Sequence, residues 1–263
     1  MKNTLFFSLL IVILNSCQTD NGNEGLDDNS GDRLVQISYE GGTSNYKYNA
    51  DGLVSEITDI RSIEARIDTT TLLFEYNDLG RLIWFISHNN SHTGDITYSG
   101  GLNSEYNLTW NTLKEINVSK RLYRVNSDFP DIYENYTYFL NDSGYIERSI
   151  YQDQDGNPYR ETNYYWSKNN LDSVISKDPD SWSRSTYEYD RKDISGHILF
   201  FGDNLAGILS NSKNNVIRGT FAASNFNDII TWETSYNFNS NGKPKSSTTI
   251  DNFGEYSSDY FYE

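Results

Sequence analysis

Three histidines, thirty-seven carboxylates and five tryptophans are the side chains with which this chain could do chemistry. His88-Asn89-Asn90-Ser91-His92 has the i, i+4 spacing of a helical zinc pair, yet Asn-Asn-Ser reads as a turn. No Glu adjoins His88 as a metalloprotease motif requires. A solvated hairpin loop without metal is the expectation there, and His197 stands alone. Asp153-Gln154-Asp155-Gly156-Asn157-Pro158 contains the Asp-x-Asp-Gly of calcium loops. Calcium takes about six to eight oxygens and needs a downstream acidic ligand, for which this loop is short. Asp155-Gly156 between Tyr151 and Tyr159 is a hairpin turn signal in its own right. The carboxylates are numerous enough for a glycosidase dyad, but nothing selects a pair, and there is no Gly-x-Ser-x-Gly elbow or phosphate loop. No catalytic residue and no cofactor is expected. Trp182 stands apart from these. In Lys177-Asp178-Pro179-Asp180-Ser181-Trp182-Ser183-Arg184 it lies in a polar loop with no evident core to fill. Its ring either stacks on a sugar face or a protein partner, or folds back over a sheet edge.

The elements that would position these residues come from a recurring unit. Phe74-Glu75-Tyr76-Asn77-Asp78-Leu79-Gly80-Arg81-Leu82 recurs at Tyr46–Leu53, at Tyr136–Ile146 and at Tyr236–Pro244. Degenerate copies begin at Tyr106, Tyr164 and Tyr187. Alternation at Phe74, Glu75 and Tyr76 puts both rings on one face of a strand. The Asn/Asp-x-x-Gly that follows supplies residues that accept positive φ, as tight hairpin turns require. A short apolar return strand comes next. Repetition of one supersecondary unit implies one architecture: an all-β antiparallel meander of hairpins with strands of 5 to 7 alternating positions, forming a curved sheet or open barrel. Tyr260-Phe261-Tyr262 looks like a closing strand. Ile198–Leu209 is apolar without alternation, and Asp203 or Asn204 could cap one short helix near 203–210 that closes an end of the core.

Residues 1–16 lie outside this fold. Lys2 and the apolar run Leu5–Leu14 fit a signal peptide, the run being too short for a membrane-spanning helix of about 20 residues. Leu14-Asn15-Ser16-Cys17 resembles the lipobox of bacterial lipoproteins, in which the cysteine becomes the acylated first residue. Cys17 is the only cysteine, so acylation leaves no thiol for a disulfide, a nucleophile or a metal. Residues 17–32 follow as a flexible tether with five acidic residues and no basic one. This acidic stretch resembles the surface-export signal of some Bacteroidetes lipoproteins. Residues 33–263 then form a single β domain. The net charge of −16 disfavours nucleic acid, whose phosphates need Lys and Arg, and disfavours adhesion to anionic lipid through the folded surface. Charged and amide residues on one strand face argue against a lipid-facing barrel.

The hairpin unit is similar to the tyrosine-aspartate repeats of Rhs-type proteins. Cys17, the Tyr-x-Tyr/Asn-Asp-x-Gly hairpins, Tyr187-Glu188-Tyr189-Asp190 and Ser212-Lys213-Asn214-Asn215-Val216, in that order, resemble a family of Bacteroidetes lipoproteins of unknown function with a porin-like β fold. The resemblance covers Leu34–Glu263 and implies a fold and a location, with no catalytic residue to carry over. Asp68-Thr69-Thr70 and Asp172-Ser173-Val174 match the O-glycosylation acceptor pattern of secreted proteins from that phylum.

These readings combine into an expected non-catalytic envelope lipoprotein. It is anchored to the outer membrane at Cys17 and exposed at the cell surface, with the periplasmic face as the alternative. It is expected to bind an extracellular ligand such as a glycan through exposed aromatics, with Trp182, Trp166 and Tyr164 as the candidate residues. The alternative is a structural subunit docked on another envelope protein by a free strand edge. A carboxylate hydrolase is the remotest reading.

Overall fold

The turns of the repeat explain the elements around them. Asn49, Asn77, Asn141 and Asn239 each fold their Oδ1 back to accept the backbone N–H groups two and four residues on, at 2.9–3.0 Å. The Gly that follows sits in the left-handed region, at φ +79° in Gly52 and +71° in Gly80, closing a three-residue hairpin loop. Where the Gly is lacking, Lys168 and Asn169 adopt φ 50° and 64°, as a two-residue type I′ turn demands.

The structure, a computed structural model, describes residues 11–12, 33–63, 66–93, 96–98, 102–125, 128, 130–153, 155–199, 212–226 and 228–263. Eighteen strands run in chain order: β1 Ile11–Val12, β2 Leu34–Tyr39, β3 Gly42–Tyr48, β4 Val54–Ile63, β5 Arg66–Tyr76, β6 Leu82–Thr93, β7 Ile96–Tyr98, β8 Leu102–Thr112, β9 Glu115–Arg124, β10 Ile132–Leu140, β11 Ile146–Gln152, β12 Pro158–Ser167, β13 Asn170–Lys177, β14 Trp182–Leu199, β15 Ser212–Ala223, β16 Ile230–Phe238, β17 Pro244–Asp251 and β18 Glu255–Tyr262. β1 pairs with the far end of β14, at Ile198 and Leu199, and β7 with the end of β6. The other sixteen pair antiparallel in succession, and β18 returns to β2 through Tyr260↔Ile37 and Tyr262↔Leu34. Arg33 and Glu263 exchange both backbone hydrogen bonds, at 3.0 and 2.9 Å. The sheet is therefore a closed sixteen-strand barrel, where the sequence predicts a curved sheet or open barrel. Closure depends on a ladder between residues more than two hundred positions apart, which no local pattern encodes.

Most ring strands run 8 to 12 residues, longer than the expected 5 to 7. Beyond the aromatic core, Ser, Thr, Asn and charged residues carry the ladder onward without an apolar pattern to mark it. The residues proposed for a helix, 203–210, lie outside the described residues, as do Cys17, the tether and all of 1–16 except Ile11 and Val12.

Because the ring alternates direction, the Asn-x-x-Gly turns all fall on one rim, the turn rim, together with Arg33, Glu263 and the β8–β9 and β12–β13 turns; the β2–β3, β11–β12, β13–β14, β15–β16 and β17–β18 connections lie on the opposite, loop rim. Inward positions carry the aromatics and aliphatics. Ile57, Phe85, Ile116, Tyr138 and Ile146 are at most 1 % exposed within one continuous cluster, and Phe85 stacks on Tyr106 with centroids 4.0 Å apart. A smaller cluster joins Tyr187, Val216 and Trp232. There Gly219 faces Trp232 so closely that a Cβ would lie 2.0 Å from the indole. Outward positions on the same strands carry Lys47, Glu56, Glu75, Asn107, Arg121 and Arg218. The polar face is outside, the reverse of a bilayer-spanning barrel.

In five copies the second aromatic of the unit ties neighbouring hairpins together. Tyr48 Oη donates to the Leu34 carbonyl and Tyr76 Oη to that of Val54. Trp110 Nε1 reaches Leu82, Trp166 Nε1 reaches Ile146, and Tyr189 Oη reaches Leu171. In each case the acceptor lies at the start of the strand that follows the neighbouring turn-rim connection or seam. A Tyr or Trp there fills the core with its ring while its polar tip finds a partner; Phe238, in the copy at Tyr236, keeps only the ring.

Candidate ligand-binding rim

Trp182 opens β14 rather than lying in a loop. Its partner Lys177 is outward-facing, and its indole is 47 % exposed at the loop rim. Asp178 shapes the preceding connection, its carboxylate accepting from the Ser181 backbone N–H and hydroxyl at 2.7 and 2.8 Å. These bonds hold its pKa below the usual carboxylate range. The next loop is joined to Trp182 by two hydrogen bonds: Ser224 N donates to the Trp182 carbonyl at 2.9 Å, and Trp182 N to Ser224 Oγ at 3.1 Å. That loop carries Phe226 and Ile229. It is joined in turn to the β17–β18 connection, where Asn252 Oδ1 accepts from Thr231 N at 2.8 Å and Asn252 Nδ2 donates to the Ile229 carbonyl. Phe253 follows, 69 % exposed. Three consecutive rim loops thus present Trp182, Phe226, Ile229 and Phe253 along one arc, interspersed with Asn252, Asp178 and Asp228.

Sequence reasoning missed Phe226, Ile229 and Phe253. The signal was the one that singled out Trp182: an apolar residue inside a run of turn formers, Asn225-Phe226-Asn227-Asp228-Ile229 and Asp251-Asn252-Phe253-Gly254. The other two nominated residues sit elsewhere. Tyr164 packs half-buried against the core, and the half-buried Trp166 indole is bonded to the Ile146 carbonyl and stacked by Tyr145 at 4.4 Å. They do not converge with Trp182, which faces outward at the opposite rim.

The metal-like motifs resolve into strand and turn. His88 and His92 lie within β6, paired with Thr71 and Ile67, so the expected hairpin loop is a strand. Among the described residues no three metal-ligating side chains converge. Asp153 Oδ1 accepts from the backbone N–H groups of Asp155 and Asn157 at 3.0 and 2.8 Å, forming the same Asx-held turn as the repeat units. Thr69 and Ser173 both lie on outward positions, of β5 and β13.

Carboxylates inside the barrel are engaged. Asp59, 3 % exposed, accepts from Tyr39 Oη, Ser44 Oγ and Arg61 Nε. Its diagonal neighbour across the ladder, Asp68, is held by Arg66 and Ser91. Across the sheet, Glu134 takes Lys120 Nζ at 2.8 Å and Tyr136 Oη at 2.7 Å. Burial pushes Glu134 up, but the hydrogen bonds from Lys120 and Tyr136 outweigh it and hold the group below the ordinary range. A glycosidase needs one carboxyl kept protonated near neutrality; Glu56, Glu134, Asp142, Asp153 and Asp178 are all displaced the other way.

No protein-family profile and no curated protein matches the chain. Solved structures that align with it include a porin-like protein from Bacteroides uniformis, 14 % identical with TM-score 0.46 over 89 % of this chain and 98 % of that one. Another is a porin-like protein from Bacteroides vulgatus, 11 % identical with TM-score 0.49 over 88 % and 99 %. Likeness at that level transfers neither residues nor activity.

Proposed function

We propose that the chain is a non-catalytic lipoprotein of the outer membrane, acylated at Cys17 and displayed at the cell surface. In this reading its loop rim binds a glycan through Trp182, Phe226 and Phe253. The observation that carries it is the arc itself: aromatic rings left exposed on three loops that hydrogen bonds through Trp182, Ser224 and Asn252 hold in a fixed order. Sugars present an apolar face that stacks on such rings, and hydroxyls that pair with amides and carboxylates such as Asn252 and Asp178. The polar outer wall suits a barrel standing in water beside the bilayer. Among the described residues each ring strand has a neighbour on both sides, which favours the loop rim over a free strand edge as the binding surface.

Glycan-array and affinity-gel measurements on the wild type and on Trp182→Ala and Phe253→Ala test the binding. Retention of the wild type with a loss of at least tenfold in both variants supports it. Equal behaviour of all three proteins, bound or unbound, would sink it.

A further inference from the structure

The turn rim carries a second exposed apolar feature, opposite the aromatic arc. Leu79 and Leu113, at 74 % and 70 %, are the two most exposed large apolar side chains among the described residues. Both stand at hairpin tips, Leu79 between β5 and β6 and Leu113 between β8 and β9. The two hairpins are neighbours through the β6–β8 ladder. They are also clasped at the rim, where Trp110 bonds to the Leu82 carbonyl beneath the Arg81 guanidinium, 5.0 Å from the ring. The turns are held by Asn77, which accepts from the backbone N–H groups of Leu79 and Arg81, and by the Thr112 hydroxyl, which accepts from Lys114 N, rather than by the leucine side chains.

The rims differ in charge. Around the tips, Arg33, Arg81, Lys114, Lys168 and Lys243 stand among Asp51, Asp78, Asp142 and Glu263, with Lys114 paired to Asp142. The loop rim gathers Glu40, Asp153, Asp178, Asp180, Asp228 and Asp251, with Arg66 and Lys177 beside them. The net charge of −16 therefore does not describe the surface nearest the chain's exit. Residue 33 leaves the barrel on the turn rim. Residues 17–32 could reach at most about 55 Å when fully extended.

We infer that the turn rim is a lipid-contacting face: the Leu79 and Leu113 tips insert at the bilayer interface, with Arg81 and Lys114 at headgroup level. A paired apolar tip flanked by cations is the chemistry of interfacial binding. Tethering supplies the local concentration that two side chains could not. The inference rests on Cys17 as the anchor. It fixes what that anchor alone leaves free, namely which end of the barrel faces the membrane.

The test uses the chain from Cys17 onward, coupled through Cys17 to a maleimide lipid in phosphatidylethanolamine–phosphatidylglycerol vesicles. Backbone hydrogen exchange is compared with that of the free protein. Exchange over 78–82 and 112–115 is expected to slow several-fold on vesicles, with 224–226 and 252–254 unchanged, and the slowing is expected to vanish in Leu79→Asn/Leu113→Asn. Unchanged exchange at both tips, or slowing at the loop rim instead, overturns the inference. Fatty-acid incorporation in cells, with Cys17→Ser as control, tests the anchor separately, since the maleimide lipid bypasses acylation.

Discussion

At the scale of single residues, the hairpin unit divides its labour. The first ring fills the core, the second fills it and in five copies donates to the neighbouring hairpin, and the Asn holds the turn. Tyr76→Phe keeps the ring and removes only the bond to the Val54 carbonyl. It is expected to cost about 1 kcal/mol, read as a fall in Tm of about 2–4 °C for a domain of this size. Asn77→Ala strips two backbone N–H groups of their acceptor and is expected to cost about 0.5–2 kcal/mol, by analogy with helix caps; chemical denaturation measures it. Gly219→Ala puts a methyl where the Trp232 indole lies. Overpacking of that kind costs about 1–3 kcal/mol, and the shift in tryptophan emission should accompany the loss. These roles were legible in the sequence, because Tyr-x-Tyr-Asn-x-x-Gly states them in residue types. The rim aromatics were half legible: Trp182 stood out because Trp is rare in polar loops, whereas Phe226 and Phe253 did not.

At the scale of elements, alternation told which face of each strand turns inward, and the barrel follows it. What alternation could not show was how far strands run once Ser, Thr and Asn replace the rings, so β6 absorbed a stretch read as a loop. The Lys120–Glu134–Tyr136 network on β9 and β10 shows why such polar extensions are inward yet stable: each charge has its counterpart. Glu134 titrates below its ordinary value. Its contribution is therefore present above the unfolded-state value, about 4.3, and is lost as pH falls below it. Glu134→Gln should lower stability at neutral pH by about 1–3 kcal/mol, and the gap to wild type should close in acid, as urea midpoints across pH 3 to 7 would reveal.

At the scale of the whole molecule, tyrosine burial sets a pH limit. Burial pushes Tyr39, Tyr48 and Tyr260 up to about 12, with the Asp59 carboxylate adding to the shift at Tyr39. Burial likewise drives Tyr46, Tyr187 and Tyr236 well above the ordinary value. An acid whose folded pKa is raised holds its proton in the native state and loses it more readily when unfolded. Stability is thus intact below the unfolded value near 10 and falls as pH climbs through 12. Ultraviolet titration should show these phenols ionising late and together with loss of near-ultraviolet circular dichroism. Early, independent ionisation would contradict the burial.

The pairing of Arg33 with Glu263 occupies the place of a turn. Seen so, the barrel is a ring of eight hairpins with a single cut, and the position of that cut has no privileged part in its packing. Joining Glu263 to Arg33 through an Asn-x-x-Gly linker and reopening the ring between Asn141 and Gly144 should give a circular permutant with the same fold. Its assembly should differ, however. In the native order the β2–β18 seam joins segments at opposite ends of the barrel's chain, so closing it bridges the greatest sequence separation among the described ladders and is expected to be a slow step. Moving the cut moves that step to another seam, and folding kinetics of permutants opened at each turn would map which seams limit closure.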